Sequence, residues 1–151
     1  MSPRMANPMY ALPEASGPLL ALGAAVKAAG LPATLIDLVN LRASQINGCS
    51  VCLHMHARDL RKAGETDERL DTVAGWRDAP WFTDAERAAL ALAEELTRVA
   101  DRPGAVPDEV WAAVEEHYDE RQRATLVFSV GVINLFNRLN IATRQEAGAG
   151  Y

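Results

Sequence analysis

The sequence has no excess of positive charge, no apolar leader and no long hydrophobic run. Its net charge is −5, and its arginines are scattered among acidic residues, so it offers no electrostatic reason to bind a nucleic-acid backbone. The N-terminal segment MSPRMANPMYALPEASGP lacks the apolar core of a signal peptide. The longest apolar run, residues 126–136, is shorter than the about 20 residues that cross a bilayer. We therefore expect a cytoplasmic protein that binds neither nucleic acid nor membrane.

Cysteine is also scarce, and its placement is informative. The 151 residues include two cysteines, Cys49 and Cys52, three positions apart. In a reducing cytoplasm such a pair is more often catalytic or metal-binding than a structural cross-link. The segment that holds the pair, QINGCSVCLHMHARDLRKAG, also contains two of the three histidines. This segment is the first place to look for a function.

No stretch alternates between apolar and polar residues for long enough to predict a β-strand. From residue 17 onward, apolar residues return every three or four positions, which is the period of an amphipathic helix. With 49% hydrophobic residues, the chain has the composition of one globular domain with a core. We therefore predict an all-α fold: an N-terminal extended arm over residues 1–17, a helical domain over 18–145 and a C-terminal tail over 146–151.

Capping and breaking residues set the predicted helix limits. Thr83 and Glu86 form a capping-box pattern at the start of the most amphipathic segment. Gly64 is placed to end the helix that contains the cysteines. The segment GWRDAPWF, residues 75–82, reads as a loop. The predicted helices cover about 18–29, 31–44, 48–64, 66–73, 83–99, 107–117 and 119–143.

Cys49, Cys52 and His56 would share one face of the helix that begins after the Asn47-Gly48 turn. Their spacing of three and then four residues places two thiols and an imidazole in order along that face. The unpaired N–H groups of the first helical turn would lie beside the sulfurs and favour the thiolate. A pair at this spacing can also close into a reversible disulfide. These features favour a redox function.

The cysteine pair also allows other interpretations. Cys49, Cys52 and His56 could supply three zinc ligands, but the sequence offers no obvious fourth. Haem attachment requires histidine directly after the second cysteine, where the chain has Leu53. Two inert buried cysteines are a further alternative. We expect no metal and no cofactor.

We predict no functional role for the other two histidines, His54 and His117. His54 points to a different side of the helix from His56, and His117 lies near a predicted helix end. A histidine at such a position commonly only caps the helix.

Three separated segments of the chain resemble the AhpD-like alkylhydroperoxidases of the carboxymuconolactone decarboxylase superfamily. They are LVNLRASQINGCSVCLHMHARDLRKAGE, WFTDAERAALALAEELT and VINLFNRLNIATR, in that order. The resemblance extends over about residues 19–144. It implies an all-α fold, assembly as a homo-oligomer (trimer or hexamer), and reduction of a hydroperoxide substrate with electrons from an external dithiol.

The resemblance also implies roles for four residues. Cys52 corresponds to the peroxidatic cysteine, Cys49 to the resolving cysteine that faces the reductant, and His56 to the proton-relay histidine. Asp37 stands where the family has a glutamate, and its side chain is one methylene shorter. Between the cysteines, where the best-studied members have a second histidine, this chain has Val51.

Two further activities remain open from the sequence. One is lactone decarboxylation of the carboxymuconolactone decarboxylase type, which needs an acid and a base but has no use for a redox pair. The other is a thiol redox sensor, which is oxidised once and does not turn over. Trp76, Trp81 and Phe82 either wall an apolar approach to the site or simply pack in the fold.

The sequence gives its own reason to expect a homo-oligomer. The alanine-rich face of residues 88–93 and the run LVFSVGVINLF, residues 126–136, are apolar around more of each helix than one small core covers. A second apolar face is most easily buried against another copy. Asn134 and Asn137 then need hydrogen-bond partners in the core or across that interface.

Overall fold

The chain folds entirely into helices and their connections over the residues described by the computed structural model, 2–104 and 106–149. This confirms the predicted all-α class. A 3₁₀ turn, Val73–Gly75, follows the fifth helix. The α-helices are α1 Pro8–Ala11, α2 Pro13–Lys27, α3 Ala33–Asn47, α4 Ser50–Lys62, α5 Asp67–Thr72, α6 Asp84–Thr97, α7 Asp108–His117 and α8 Glu120–Thr143.

The expected extended N-terminal arm is wrong, because α1 and the first turn of α2 occupy that segment. Asn7 caps α1 by accepting the Met9 N–H at 2.9 Å, and prolines at the first helical positions are compatible with both helices. The Ser16 hydroxyl donates to the carbonyl of Met9 and so ties the two helices together. The N–H of Arg4 donates to the carbonyl of Thr143. The N-terminal segment is thus fixed to the end of α8.

The centre of the fold is α3, which packs against α4, α6 and α8. The capping box of Thr83 and Glu86 at the start of α6 is confirmed, and Asp119 with Gln122 forms a second one at the start of α8. Gly48 ends α3 in the left-handed conformation, with φ of 73°, which favours glycine. This turn directs the chain straight into the cysteine-bearing helix.

Of the aromatic residues in the loop between α5 and α6, Trp76 and Phe82 are packing residues and Trp81 is exposed, and none of the three lines an approach to the site. Trp76 and Phe82 are buried in a core cluster with leucines of α3, α4 and α6. Arg87 holds the loop by donating to the carbonyls of Trp76, Arg77, Ala79 and Phe82. The alternative of an aromatic wall is therefore excluded.

The two apolar faces that suggested an oligomer differ in how far they are buried within one chain. Ala88, Ala89 and Ala93 of α6 are buried within this one chain, so the expectation that their face needs a partner is wrong. On α8, by contrast, Val127, Phe128 and Leu135 are exposed. The helices α3, α7 and α8 together cover the alanine face of α6, whereas the helices that pack on α8 leave Val127, Phe128 and Leu135 uncovered. An uncovered apolar face therefore exists on α8.

Polar side chains on the inner face of α8 join it to α3 and α6. The Asn47 amide donates to the side-chain oxygens of Asn134 at 2.9 Å and Asn137 at 2.8 Å. Asn137 in turn donates to the Ser44 hydroxyl, and Asn134 to the Thr97 hydroxyl. The partners that the two asparagines require are thus found within one chain.

By length and composition, α8 could also cross a membrane, and it is the one helix of the described residues that meets this test. The expectation from residues 126–136 alone missed this, because the helix extends beyond that run. Core helices of globular proteins often meet the same criteria. The asparagine contacts to α3 and α6 show that one face of α8 serves as part of such a core.

Candidate functional site

Cys49 and Cys52 form a disulfide at the beginning of α4, with their Cα atoms 5.4 Å apart. Cys49 is the N-cap of the helix, and its sulfur accepts the backbone N–H of Cys52 at 3.4 Å. Each cysteine is 1% exposed. The predicted position of the pair at a helix start is confirmed, and the first turn of the helix donates to the sulfur of Cys49.

His56 follows Cys52 by one helical turn and contacts Asp37 of α3. The distance from His56 Nδ1 to Asp37 Oδ1 is 3.1 Å, and the histidine is 3% exposed. A carboxylate accepts hydrogen bonds, so Nδ1 carries the proton in this contact. The opposite nitrogen, Nε2, is buried without a hydrogen-bond partner among the described residues. It is therefore free to accept or deliver a proton.

The shorter acid at position 37 still reaches the histidine directly. Asp37 is also held by Lys27, the last residue of α2, with Nζ 3.1 Å from Oδ1. Burial raises the pKa of Asp37, but the hydrogen bond from His56 and the charge of Lys27 outweigh burial, so its pKa lies below the ordinary value. The site therefore contains an ionised carboxylate between a lysine and a histidine.

Lys27 was not predicted from the sequence as a site residue. A signal was present, because the chain has two lysines among its 15 basic residues and Lys27 closes a helix with no other basic residue. Its contact with Asp37 was not predictable from the sequence because the two residues lie apart in the chain, on α2 and α3.

A cavity of about 420 Å³ lies on the Cys52 side of the disulfide. We call it the inner cavity. Side chains of α2, α3, α4 and α8 line it together with Met9 and Tyr10 of the N-terminal segment, and most of these side chains are apolar. Cys52 and His56 both border it. An apolar molecule of moderate size has room there beside the sulfur of Cys52.

A second opening, of about 440 Å³, lies on the Cys49 side, and we call it the outer cleft. It is bounded by Gly48, Cys49 and Ser50 at the start of α4 and by Arg144 and Glu146 just after α8. Its lining is more polar than that of the inner cavity. The disulfide therefore lies between two openings of different character, with one cysteine bordering each.

Asn140 of α8 borders both openings. Its side-chain nitrogen lies 3.5 Å from Cys52 Sγ, as donor to the sulfur. Val51, in the place of a second histidine, also borders both and is buried. Asn140 was not predicted as a site residue, although it lies in the segment VINLFNRLNIATR.

The other two histidines, His54 and His117, lie outside the site. His54 is exposed on α4, and His117 is exposed at the end of α7, and neither borders the two openings. Within residues 2–104 and 106–149, no group of three or more His, Cys, Asp or Glu side chains is placed to hold a metal ion. The four predicted residues Cys49, Cys52, His56 and Asp37 lie together at the junction of α3 and α4.

Known proteins are similar to this chain in sequence and fold. The profile of the Carboxymuconolactone decarboxylase family matches residues 13–95. The uncharacterised YdfG protein of Bacillus subtilis is 38% identical over 123 residues, which is 82% of each chain. A protein of unknown function from Agrobacterium tumefaciens, described as a candidate AhpD antioxidant defence protein, has a solved structure. It is 32% identical, covers 98% of this chain and 99% of its own, and superposes with a TM-score of 0.91.

A more distant structure shares the fold. The debrominase Bmp8 is 19% identical, with a TM-score of 0.83 over 93% of this chain and 75% of its own. It has also been solved as a cysteine-to-alanine variant with 2,3,4-tribromopyrrole.

Proposed function

Because the chain belongs to the carboxymuconolactone decarboxylase family and has the AhpD-like fold, we propose that it is a thiol-dependent peroxidase. It reduces organic hydroperoxides through Cys49 and Cys52. One observation carries the proposal: the disulfide lies between an apolar cavity and a polar cleft, with the His56–Asp37 pair one helical turn away. This arrangement provides a nucleophile, a resolving thiol and a proton carrier in one place.

The cycle begins with the reduced pair. The thiolate of Cys52 attacks the outer oxygen of the hydroperoxide, the O–O bond breaks, and Cys52 becomes a sulfenic acid while the alkoxide takes a proton and leaves as the alcohol. Cys49 then attacks the sulfenic sulfur, which forms the disulfide and releases water. An external dithiol reduces the disulfide through the outer cleft and is itself oxidised to a disulfide.

His56 moves the proton in this cycle. On α4 it follows Cys52 by four residues, so the two side chains are neighbours on one face. Asp37 fixes the proton on Nδ1 and leaves Nε2 to take the proton of the Cys52 thiol and pass it to the alkoxide. Lys27 keeps Asp37 in its ionised form.

The inner cavity favours organic hydroperoxides over hydrogen peroxide. Its lining is mainly apolar, with Val26, Ile36, Ile133 and Phe136 among the walls. Burial of the substrate's hydrocarbon part contributes binding free energy that hydrogen peroxide cannot supply. We expect a lower KM for cumene hydroperoxide than for hydrogen peroxide.

The experiment compares the two cysteines by peroxide consumption. Cys52→Ser should consume none. Cys49→Ser, assayed without added reductant, should consume at most one equivalent per chain, and the control variant His54→Ala, on the exposed side of the same helix, should behave as wild type with dithiothreitol. Equal multi-turnover activity in both cysteine variants would overturn the assignment of roles.

Two alternatives give distinct results in the same assay. A redox sensor would be oxidised once, even with dithiol present. A lactone decarboxylase of the kind that names the family would act on an anionic substrate and need no cysteine. Lys27 is the one lysine or arginine among the described residues that line the inner cavity, and it is already paired with Asp37, which argues against an anionic substrate there.

A second candidate activity uses the same thiols on a different oxidant. In reductive debromination, two thiols and a bromoarene give the disulfide, the arene with hydrogen in place of bromine, and bromide with a proton. The size and apolar walls of the inner cavity suit such a ring, and Bmp8 shares the fold. Bromide release from 2,3,4-tribromopyrrole, measured beside peroxide consumption, separates the two activities.

We also propose that the protein acts in the cytoplasm as a homo-oligomer, a trimer or hexamer. Val127, Phe128 and Leu135 of α8 and Leu20 of α2 are exposed apolar residues, and burial against another copy would remove them from water. Light scattering coupled to size-exclusion chromatography tests this. A mass near 16.3 kDa at every dilution would reject the oligomer, and Phe128→Glu should shift the assembly toward smaller species.

A further inference from the structure

Asn140 makes a contact that the proposed cycle has not used. Its side-chain Nδ2 lies 3.5 Å from Cys52 Sγ, within hydrogen-bonding range for sulfur. It is half-buried at the start of the last turn of α8 and borders both the inner cavity and the outer cleft. The amide therefore lies against the sulfur at the boundary between the two openings.

We propose that Asn140 is a catalytic residue that donates its side-chain N–H to the thiolate of Cys52. This inference deepens the proposed function, on which its catalytic part rests, whereas the hydrogen bond to the thiolate can be tested without any peroxide. The bond stabilises the charged sulfur before attack and holds it at the end of the inner cavity.

The two sulfurs receive their hydrogen bonds from different sources. The first turn of α4 provides the donor for Cys49, since the N–H of Cys52 donates to Cys49 Sγ at 3.4 Å. Among the described residues, Asn140 is the side chain that donates to the sulfur of Cys52. The helix N-terminus directs its N–H donor to Cys49. A thiolate at Cys52 therefore depends on Asn140 for a hydrogen bond.

The position of Asn140 is fixed by the rest of α8. Asn137, one turn earlier on the same face, is bonded to Ser44 and Asn47 of α3. At the other side, the N–H of Gln145 donates to the carbonyl of Asn140 and closes the end of the helix. The backbone that carries the Asn140 side chain is therefore fixed before the thiolate forms, as the support of a preorganised donor must be.

The consequences for reactivity follow from the charge. A hydrogen bond to the thiolate lowers the thiol pKa, and the thiolate is the form that attacks the peroxide. Loss of the donor should raise the pKa of Cys52 by about one unit. A carboxylate in the same place would raise it further, because it would repel the thiolate.

The experiment measures alkylation by iodoacetamide against pH in the Cys49→Ser background, where Cys52 is the one thiol. Asn140→Leu should raise the apparent pKa by about one unit and slow alkylation at neutral pH about tenfold. Asn140→Asp should give the larger shift. Cys49, measured in the Cys52→Ser background, serves as control, and Asn140→Leu should leave its profile unchanged.

Equal alkylation profiles of Cys52 with asparagine, leucine and aspartate at position 140 would overturn the inference, as would equal shifts at both cysteines. Asn140→Asp keeps the size and shape of the side chain, so it provides the test if Asn140→Leu does not fold. A shift confined to Cys52, in a protein whose wild type consumes no peroxide, would support the hydrogen bond and reject the peroxidase.

Discussion

Two carboxylates, Asp37 of α3 and Glu94 of α6, are almost equally buried, at 7% and 8% exposed, yet their surroundings differ. Glu94 accepts hydrogen bonds from Arg42 at 2.7 Å, Trp76 at 2.8 Å and Arg77 at 2.6 Å. Asp37 has Lys27 and His56. For both, burial raises the pKa and hydrogen bonds with charges lower it more, so each pKa lies below its ordinary value.

The difference lies in what the partners can do. The arginine and tryptophan side chains around Glu94 act as hydrogen-bond donors only, and the cluster joins α3, α6 and the loop after α5. His56 can gain or lose a proton, and its second nitrogen has no hydrogen-bond partner within the part of the chain that the structure describes. The same electrostatic arrangement therefore stabilises the fold at Glu94 and provides a proton carrier at Asp37.

The largest expected effect is on stability at Glu94. Glu94→Leu keeps a similar volume but leaves Trp76 and Arg42 without their acceptor in the core. We expect a loss of about 3 kcal/mol in the free energy of unfolding. Urea denaturation measures it, and the folded fraction should retain its peroxide turnover.

Glu95→Leu is the matched control for this variant. Glu95 is the next residue and pairs with the exposed Arg102 at 2.9 Å, so its loss should cost less than about 1 kcal/mol. Equal losses in both variants would contradict a special structural role for Glu94.

At Asp37 the larger effect should be on activity. Asp37→Asn removes the acceptor that fixes the proton of His56 and should lower peroxide turnover about tenfold to a hundredfold. Asp37→Glu restores the family's acid and should leave turnover unchanged or raise it. If Asp37→Asn matches wild type across the pH range, Asp37 takes no part in proton transfer.

The two carboxylates should act together when stability is measured against pH. A carboxyl whose folded pKa lies below its unfolded one stabilises the folded state above the unfolded pKa, and this contribution is lost as pH falls through the folded value. The wild type should therefore lose stability below about pH 5. Its advantage over Glu94→Leu in urea denaturation should shrink from pH 7 to pH 3. A constant difference would show that the lowered pKa of Glu94 does not contribute to stability.

The smallest effect on stability is expected at Lys27, whose side chain is 47% exposed in its ion pair with Asp37. Lys27→Met should change the free energy of unfolding by less than about 1 kcal/mol. Because the lysine lowers the pKa of Asp37, its loss should move the acidic limb of the pH profile of turnover to higher pH, and Lys27→Arg should restore the limb. An unmoved profile in Lys27→Met would remove Lys27 from the site.

Local chemistry made much of this structure predictable from the sequence. The capping box at Thr83, the glycine turn at Gly48 and the cysteine pair at a helix start depend on residues within one or two turns of each other. Helix α1 and the beginning of α2 were missed because their prolines were interpreted as helix breakers, although proline is acceptable in a first turn.

Long-range contacts were the part that the sequence did not reveal. Lys27 contacts Asp37 across the connection between α2 and α3, and Asn140 contacts Cys52 across 88 residues. No periodicity encodes which face of one helix meets which face of another. The burial of residues 88–93 within one chain was not predicted for the same reason, since it depends on how many helices pack on α6.

The two openings beside the disulfide have a kinetic consequence for the proposed cycle. If hydroperoxide enters by the inner cavity and dithiol by the outer cleft, neither substrate blocks the entrance of the other. Because the enzyme alternates between its dithiol and disulfide forms, initial rates should follow a ping-pong pattern with parallel double-reciprocal lines. High concentrations of one substrate should not inhibit at low concentrations of the other. A shared entrance would instead produce competitive substrate inhibition, so rate measurements alone can tell whether oxidant and reductant use separate entrances.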